Sequence, residues 1–180
     1  RVYRIMRLAI VGAAGRMGQT LIRVVHEMPN CSVAGGTERP GSPMVGVDIG
    51  EVAQIGKLGI PITSDPLELF SRCEGVLDFS TPDVSVQNAA FDAQTNIVHV
   101  IGTTGFEPHH EQAIQDSAQH TTIIKSGNMS LGINLLAALV KRAAASLGPN
   151  FDIEILEMHH RMKVDAPSGT ALLLGKAVAE

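Results

Sequence analysis

The sequence has 180 residues, of which 44% are apolar and 18% are charged, and its formal net charge is −4. This composition predicts a folded protein with a sizeable core and excludes a disordered chain, while the acidic balance argues against a nucleic-acid-binding surface. No apolar run approaches the roughly 20 residues of a membrane-spanning helix, and the isolated Cys31 and Cys73 favour reduced thiols in a cytoplasmic protein.

Short β-type runs alternate with helical patterns between residues 7 and 125. The predicted strands are residues 7–11, 32–36, 75–79, 97–102 and 121–125, and the predicted helices are Met17–Glu27, Pro82–Ala93 and Pro108–Gln119. Nearly continuous apolar strands alternating with helices indicate an α/β fold, with a parallel sheet covered on both faces. The glycine- and valine-rich stretch from Pro40 to Pro61 is predicted to be a long irregular loop.

The pattern changes near Ser126. A helix is predicted to run to about Leu147, where Gly148-Pro149 stops it, and FDIEILEMHH (151–160) alternates as a strand does. We therefore expect two domains, residues 1–129 and the first part of an incomplete α+β domain, residues 130–180. The chain begins with Arg1 and stops at TALLLGKAVAE, inside a predicted helix, so we expect a fragment of a longer protein.

A glycine-rich stretch, GAAGRMG, follows the first predicted strand directly, with glycines at 12, 15 and 18. Glycines at such a strand-to-helix turn let the backbone approach a pyrophosphate, which binds at the helix N-terminus. Glu38, about 20 residues further on at the end of the second strand, is placed to bind ribose hydroxyls. The stretch predicts a dinucleotide-binding domain, and a merely tight turn is the alternative.

Residues at other strand ends extend this prediction. Arg39, beside Glu38, could pair with the extra phosphate of NADP, or could be a solvated surface arginine. DFSTP (78–82), GTTGF (102–106) and SGNM (126–129) each close a predicted strand with glycines, hydroxyls or an acid. Taken singly they could be ordinary turns, but in order they favour a lined cofactor crevice.

The stretch HHRMKVDAPSGT (159–170) precedes the last predicted helix. Ser168-Gly169-Thr170 opens that helix and offers unpaired N–H groups to an anion such as a carboxylate. His159, His160 and Lys163 stand beside it as groups that carry protons or neutralise an acid. Metal binding is the weaker interpretation, because neighbouring histidines on a strand point to opposite faces and further ligands are lacking. Asp165 and Pro167 are expected to shape the loop, and Met162 to pack.

These stretches resemble the dihydrodipicolinate reductase family, also named 4-hydroxy-tetrahydrodipicolinate reductases, of the diaminopimelate route to lysine in bacteria. The resemblance rests on GAAGRMG, the Glu38-Arg39 pair, VIGTTGF and above all EMHHRMKVDAPSGTA, and it covers essentially all 180 residues in order. It implies a Rossmann-type domain followed by a substrate-binding and tetramerisation domain, with family chains that continue beyond residue 180 and assemble as homotetramers.

The resemblance also implies roles for individual residues. NADH or NADPH would bind Gly12, Ala13, Ala14, Gly15, Arg16, Met17, Glu38, Arg39, Gly102, Thr103, Thr104, Ser126, Gly127, Asn128 and Met129. His159 would be the catalytic proton donor or acceptor and Lys163 a proton donor. His160, Gly169 and Thr170 would bind a carboxylate of the substrate, a cyclic imine dicarboxylate. Which of His159 and Lys163 delivers the proton is left open.

Three alternatives stay open on the sequence. A nucleotide-sensing or scaffold protein would keep the glycine loop but do no chemistry, and the intact His159 and Lys163 argue against it. A metal-dependent hydrolase would use the paired histidines. A related reductase of the same fold, such as an aspartate or homoserine dehydrogenase, would act on another substrate, and the loop 159–170 favours the dicarboxylate imine.

Overall fold

Two compact units make up the chain. The computed structural model describes residues 5–163 and 166–179, and the first unit ends at Lys125 while the second begins at Ser126. The strands of the first unit are β1 (Met6–Val11), β2 (Cys31–Thr37), β3 (Gly75–Asp78), β4 (Val98–Ile101) and β5 (Ile123–Lys125). Its helices are α1 (Arg16–Glu27), α2 (Ile49–Val52), α3 (Pro66–Phe70), α4 (Pro82–Thr95) and α5 (Pro108–Ser117). The second unit contains α6 (Leu131–Leu147) and α7 (Gly169–Ala179). The domain boundary expected at residue 129 stays a prediction.

The five strands form one parallel sheet in the order β2-β1-β3-β4-β5. Alternate residues of β1 face opposite sides of the sheet. Leu8 and Ile10 join a buried cluster with Ile22 of α1, whereas Ala9 and Val11 join another with Phe70 of α3. Because both faces are buried from Leu8 to Val11, this part of β1 is apolar without interruption. The α/β fold expected from the sequence is confirmed.

The carboxyl ends of the strands are level with one another. Val11 pairs with Thr37 of β2 and with Asp78 of β3, and Asp78 pairs with Ile101 of β4. The residues that follow these four therefore leave the sheet at one edge. The chain moves outward from β1 to β2 and then returns to β3 on the other side of β1, and ligands of open parallel sheets bind at such a reversal of strand order.

The stretch from Pro40 to Pro61 is more ordered than predicted, because it contains α2. The carboxylate of Asp48 organises it by accepting five backbone N–H groups, those of Gly50, Glu51, Leu58, Gly59 and Ile60, at 2.6–3.3 Å. These hydrogen bonds lower the pKa of Asp48, with that from Leu58 the largest contribution. One buried acid thus orders this stretch in place of the regular backbone hydrogen bonding that sequence patterns detect. The short helix α3, which follows this stretch, was also not predicted.

The strand predicted at 151–160 is wrong, since these residues form no regular element. The alternating apolar residues are exposed, with Phe151 at 56%, Ile153 at 42% and Ile155 at 43%. A strand needs a neighbour for its backbone hydrogen bonds, and the described residues of the second unit provide helices only. Asp165, expected to shape the following loop, lies outside the described residues.

No helix within residues 5–163 and 166–179 combines the length and the hydropathy needed to cross a membrane.

Candidate functional site

The glycine loop joins β1 to α1 at the strand-end edge. Gly12 adopts a φ of +66°, which permits the turn, and the N–H of Gly15 bonds back to the carbonyl of Gly12 at 3.0 Å. A Cβ on Gly18 would lie 2.2 Å from the Gly12 carbonyl oxygen, so only glycine lets α1 pack so close. The first turn of α1 carries no acid, which leaves its N–H groups and positive dipole end suited to a pyrophosphate.

Glu38 lies where the sequence predicted, just beyond β2, and it contacts the glycine loop. One carboxylate oxygen accepts the backbone N–H of Ala14 at 3.0 Å. Glu38 and the exposed Arg39 line a cavity of about 410 Å³ together with Gly12. Residues from the ends of β1, β2 and β3, from the start of α3 and from α4 also line it. The cavity thus lies beside the glycine loop, where the sequence predicts a dinucleotide.

The GTTG segment follows β4 and is fixed by packing. Gly102 lies against the ring of Phe79, because a Cβ on it would be 2.0 Å from a ring carbon. The side chain of Thr103 is turned into the protein: its hydroxyl donates to Asp78 at 3.4 Å and accepts from Ser85 at 2.9 Å. Thr104 is exposed. The expected cofactor contacts of this segment thus fall to its backbone and to Thr104.

A buried ionic cluster lies beneath these loops. The side chains of Asp78, His99 and Asp92 are fully buried, with His99 Nε2 lying 3.3 Å from Asp78 Oδ2 and His99 Nδ1 lying 2.8 Å from Asp92 Oδ2. The ring N–H groups do not point along these contacts, so the attraction is that of ion pairs rather than aligned hydrogen bonds. Asp78 also accepts the N–H and the hydroxyl of Ser80 at 3.0 and 2.5 Å. The cluster thereby links the end of β3 to β4 and to α4.

The three groups shift one another's pKa. Burial alone would raise the pKa of Asp78, but its contacts with His99 and Ser80 outweigh burial and lower the pKa. Burial raises the pKa of Asp92 above its usual value. Burial would lower the pKa of His99, but the two flanking carboxylates outweigh it, so the pKa is raised. These directions favour an ionised Asp78 beside a protonated His99.

In the second unit, α7 begins at Gly169, directly after Ser168 in the sequence. The Ser168 hydroxyl and carbonyl accept the N–H groups of Ala171 and Leu172, both at 3.0 Å. Since the first four N–H groups of a helix have no partner within it, those of Gly169 and Thr170 are left at the open end. These are the two residues predicted to bind a carboxylate.

The SGNM segment contacts that helix start. The side-chain amide of Asn128 donates to the hydroxyl of Thr170 at 2.8 Å, and its carbonyl oxygen accepts the N–H of Ser130 at 2.8 Å. Ser126 closes a tight loop with Asn128, and Met129 and Gly127 are exposed. A predicted cofactor residue and a predicted substrate residue are thus brought into direct contact within one unit.

His159 and His160 have different surroundings although they are neighbours. His160 Nδ1 accepts the backbone N–H of Met162 at 3.1 Å, so the neutral ring carries its proton on Nε2 and presents a donor there. His159 Nδ1 lies 3.5 Å from a carboxylate oxygen of Glu157. The N–H of Lys163 bonds to the carbonyl of His160 at 3.1 Å, which closes the turn between them.

Sequence reasoning missed Glu157. Its other carboxylate oxygen accepts the N–H of Ser168 at 2.8 Å, a contact across 11 residues that no local pattern reveals. The signal available was its place at the head of the E-x-H-H-R-x-K pattern. No group of three His, Cys, Asp or Glu side chains in the described part of the chain is arranged to hold a metal ion.

Comparison with known proteins matches both units. The model of the N-terminal part of dihydrodipicolinate reductase matches residues 6–129, and that of the C-terminal part matches residues 132–180. A 4-hydroxy-tetrahydrodipicolinate reductase of Brucella abortus (strain 2308) is 59% identical over 97% of this chain and 65% of its own length. One from Chelativorans sp. (strain BNC1) is 61% identical over 97% of this chain and 64% of its own length.

Solved structures agree with the sequence matches. A dipicolinate-bound dihydrodipicolinate reductase from Paenisporosarcina sp. TG-14 has a TM-score of 0.74 and 28% identity, covering 97% of this chain and 66% of that one. An amine dehydrogenase from Mycobacterium smegmatis, at 16% identity and a TM-score of 0.56 over 67% of this chain and 38% of that one, shares the fold alone. The chain spans about 65% of the length of the curated relatives. It belongs to the dihydrodipicolinate reductase family of oxidoreductases, and with its Rossmann-like fold this membership implies a nicotinamide dinucleotide cofactor.

Proposed function

We propose that the protein containing this chain reduces 4-hydroxy-tetrahydrodipicolinate, a cyclic imine dicarboxylate, to tetrahydrodipicolinate with NADH or NADPH, in the diaminopimelate route to lysine. The observation that carries the proposal is the start of α7, where Gly169 and Thr170 offer N–H groups in the same unit as His160 and Lys163. The dipicolinate bound to the Paenisporosarcina relative, itself a ring dicarboxylate, is consistent with this chemistry.

The substrate carboxylate would be held by donors only. The N–H groups of Gly169 and Thr170 lie at the positive end of α7, and the Nε2–H of His160 adds a third donor. Fixing a carboxylate in this way orients the imine for reaction. The side chain of Asn128 holds the Thr170 hydroxyl at 2.8 Å, which limits the freedom of the helix start.

The cofactor when bound would supply the hydride, and the chain would supply the proton. We assign that proton to His159 or Lys163. Losing a general acid slows a reaction by roughly two to four orders of magnitude. Lys163→Ala should therefore lower kcat by that span in the coupled assay described below, and normal turnover in this variant would remove Lys163 from the mechanism.

For the cofactor we propose contacts with both NADH and NADPH. Glu38 uses one carboxylate oxygen for Ala14, and its other oxygen would accept a ribose hydroxyl. The exposed Arg39 on the same cavity would pair with the extra phosphate of NADPH. The residues from Gly12 to Met17 would hold the pyrophosphate, and the backbone at Gly102–Thr104 and Ser126–Met129 would contact the nicotinamide half.

We also propose a homotetramer in the full-length form and a location in the cytoplasm. Large apolar side chains of the second unit are exposed, with Leu131 at 86%, Leu156 at 88% and Met158 at 87%. Such exposure supports coverage by further protein. Both cysteines are free thiols, which supports a reducing compartment. Sedimentation of the full-length protein would test the assembly.

The test of the function is oxidation of NADPH and NADH, with the substrate generated in place by the upstream synthase. It should be run on this chain and on a version extended to full length. Turnover in the longer form supports the reductase. No turnover in either, with the cofactor still bound, would leave a nucleotide-binding protein, and turnover only with another imine or ketone would favour a related reductase.

A further inference from the structure

Glu157 is held in place at the start of α7. One of its carboxylate oxygens accepts the backbone N–H of Ser168 at 2.8 Å, and Ser168 is itself 3% exposed. Hydrogen bonding from Ser168 lowers the pKa of Glu157, and the charges of His159 and Lys163 act in the same direction. The carboxylate is therefore ionised at neutral pH and cannot swing freely.

The second oxygen of Glu157 points at His159. Within the described residues this oxygen is buried and has no hydrogen-bond partner, and His159 Nδ1 lies 3.5 Å from it. A buried carboxylate oxygen without a donor is costly, whereas a donor that approaches it gains strength from its charge. Long contacts between catalytic groups commonly shorten when the substrate binds.

We propose that Glu157 is the positioning residue of His159: its carboxylate, fixed by Ser168, keeps the proton of the imidazole on Nδ1 and so reserves Nε2 for the reacting molecule. The proposal rests on the proposed function, because the part of His159 in proton transfer belongs to it. In the Ser-His-Asp triad, a carboxylate likewise binds Nδ1–H of the histidine and leaves Nε2 to exchange the proton.

This assignment accounts for the paired histidines. His160 Nδ1 is occupied by the N–H of Met162, which makes its Nε2 a donor for a carboxylate. His159 faces Glu157, and once this 3.5 Å contact shortens its Nδ1 is occupied as a donor. Its Nε2 is then an acceptor when the ring is neutral and a proton donor when it is charged. Two neighbours of the same residue type thus carry opposite tautomers and serve different steps.

Glu157→Gln separates the positioning role from the structural one. A glutamine oxygen still accepts the N–H of Ser168, so α7 keeps its start, but the amide nitrogen then faces His159 and favours the opposite tautomer. We expect kcat to fall by at least about 10-fold, the lower end for loss of a carboxylate behind a metal-bound histidine, and by up to roughly 10,000-fold, as when a carboxylate that orients a catalytic base becomes an amide, with KM little changed. Glu154→Gln, in the same segment with an exposed side chain, is the matched control and should behave as the wild type.

A second readout does not depend on turnover. In full-length protein labelled with ring-¹⁵N histidine, the His159 signals, assigned with His159→Gln, should report a proton on Nδ1 in the wild type and in Glu154→Gln. The proton should move to Nε2 in Glu157→Gln. An unchanged tautomer, or a Glu157→Gln enzyme with wild-type kcat, would overturn the proposal. Absence of turnover in the wild type would count against the proposed function alone, since the tautomer measurement still decides the role of Glu157.

Discussion

Replacing His99 by leucine should destabilise the first unit strongly. His99 and the carboxylates of Asp78 and Asp92 are all 0% exposed, and removing one partner of a buried ionic cluster costs about 3–5 kcal/mol. Asp92 can relieve part of this cost, because burial raises its pKa and favours uptake of a proton. Leucine has a volume similar to histidine, so the loss of packing is small. We therefore expect a loss near the lower end, about 3 kcal/mol.

Urea unfolding followed by circular dichroism measures this loss directly. His120→Leu, at an exposed histidine of the same unit, is the matched control and should change the free energy of unfolding little. Adding Asp92→Leu to His99→Leu should recover part of the loss, because an apolar pair leaves one buried carboxylate fewer. The two substitutions should thus be non-additive.

The pH dependence gives an independent check. Because the pKa of His99 is raised above its ordinary value of 6.5, the folded state holds this proton more tightly than the unfolded state. The stabilisation is complete below pH 6.5 and is lost as the pH rises through the folded-state pKa. The difference in free energy of unfolding between wild type and His99→Leu should therefore become smaller at alkaline pH. A loss below about 1 kcal/mol, within the range of ordinary substitutions, or a difference that grows at alkaline pH, would refute the reasoning.

Two further predictions concern loops at the strand-end edge and beside it. Gly102→Ala should lower the free energy of unfolding by roughly 1–3 kcal/mol through overpacking, because its Cβ would lie 2.0 Å from the Phe79 ring. Thermal unfolding should show the lower stability, and NADH fluorescence titration should show weaker binding. Adding Phe79→Leu should restore both in part. Asp48→Asn should lower the melting temperature, because the amide nitrogen would replace one carboxylate oxygen and face either the two N–H donors on Oδ2 or the three on Oδ1. Since the pKa of Asp48 is lowered, its contribution to stability is present above pH 3.8 and is lost as the pH falls through the folded-state pKa. The difference from wild type should therefore disappear in acid, with Asp116→Asn as the control.

The strands and the glycine loop could be predicted because their signals are local. An apolar run such as RLAIV followed by GAAGRMG specifies a strand, a turn and a helix within a few residues. The direction of side chains could not be predicted in the same way. Asp78 and Thr103 stand at strand ends, as expected of ligand-binding residues, but inside the protein Thr103 bonds to Asp78, and Asp78 also pairs with His99.

Contacts between residues far apart in the sequence could not be predicted either. The alternation in FDIEILEMHH indicates an extended chain, but whether it becomes a strand depends on a partner elsewhere. Glu157 was overlooked for a related reason, since its contact with Ser168 spans a loop whose shape the sequence does not reveal.

The hydrogen bond between Glu38 and Ala14 has a consequence for redesign of cofactor choice. The acid at the end of β2 repels the added phosphate of NADPH, so the usual way to favour NADPH is to replace this acid. Here that acid also holds the N–H of Ala14 at 3.0 Å, so the same replacement would loosen the loop that, under the proposed function, holds the pyrophosphate of either dinucleotide. Selectivity and affinity are therefore linked through one side chain. An engineer, or natural selection, would need a second substitution that re-anchors the loop before the preference could change without loss of binding.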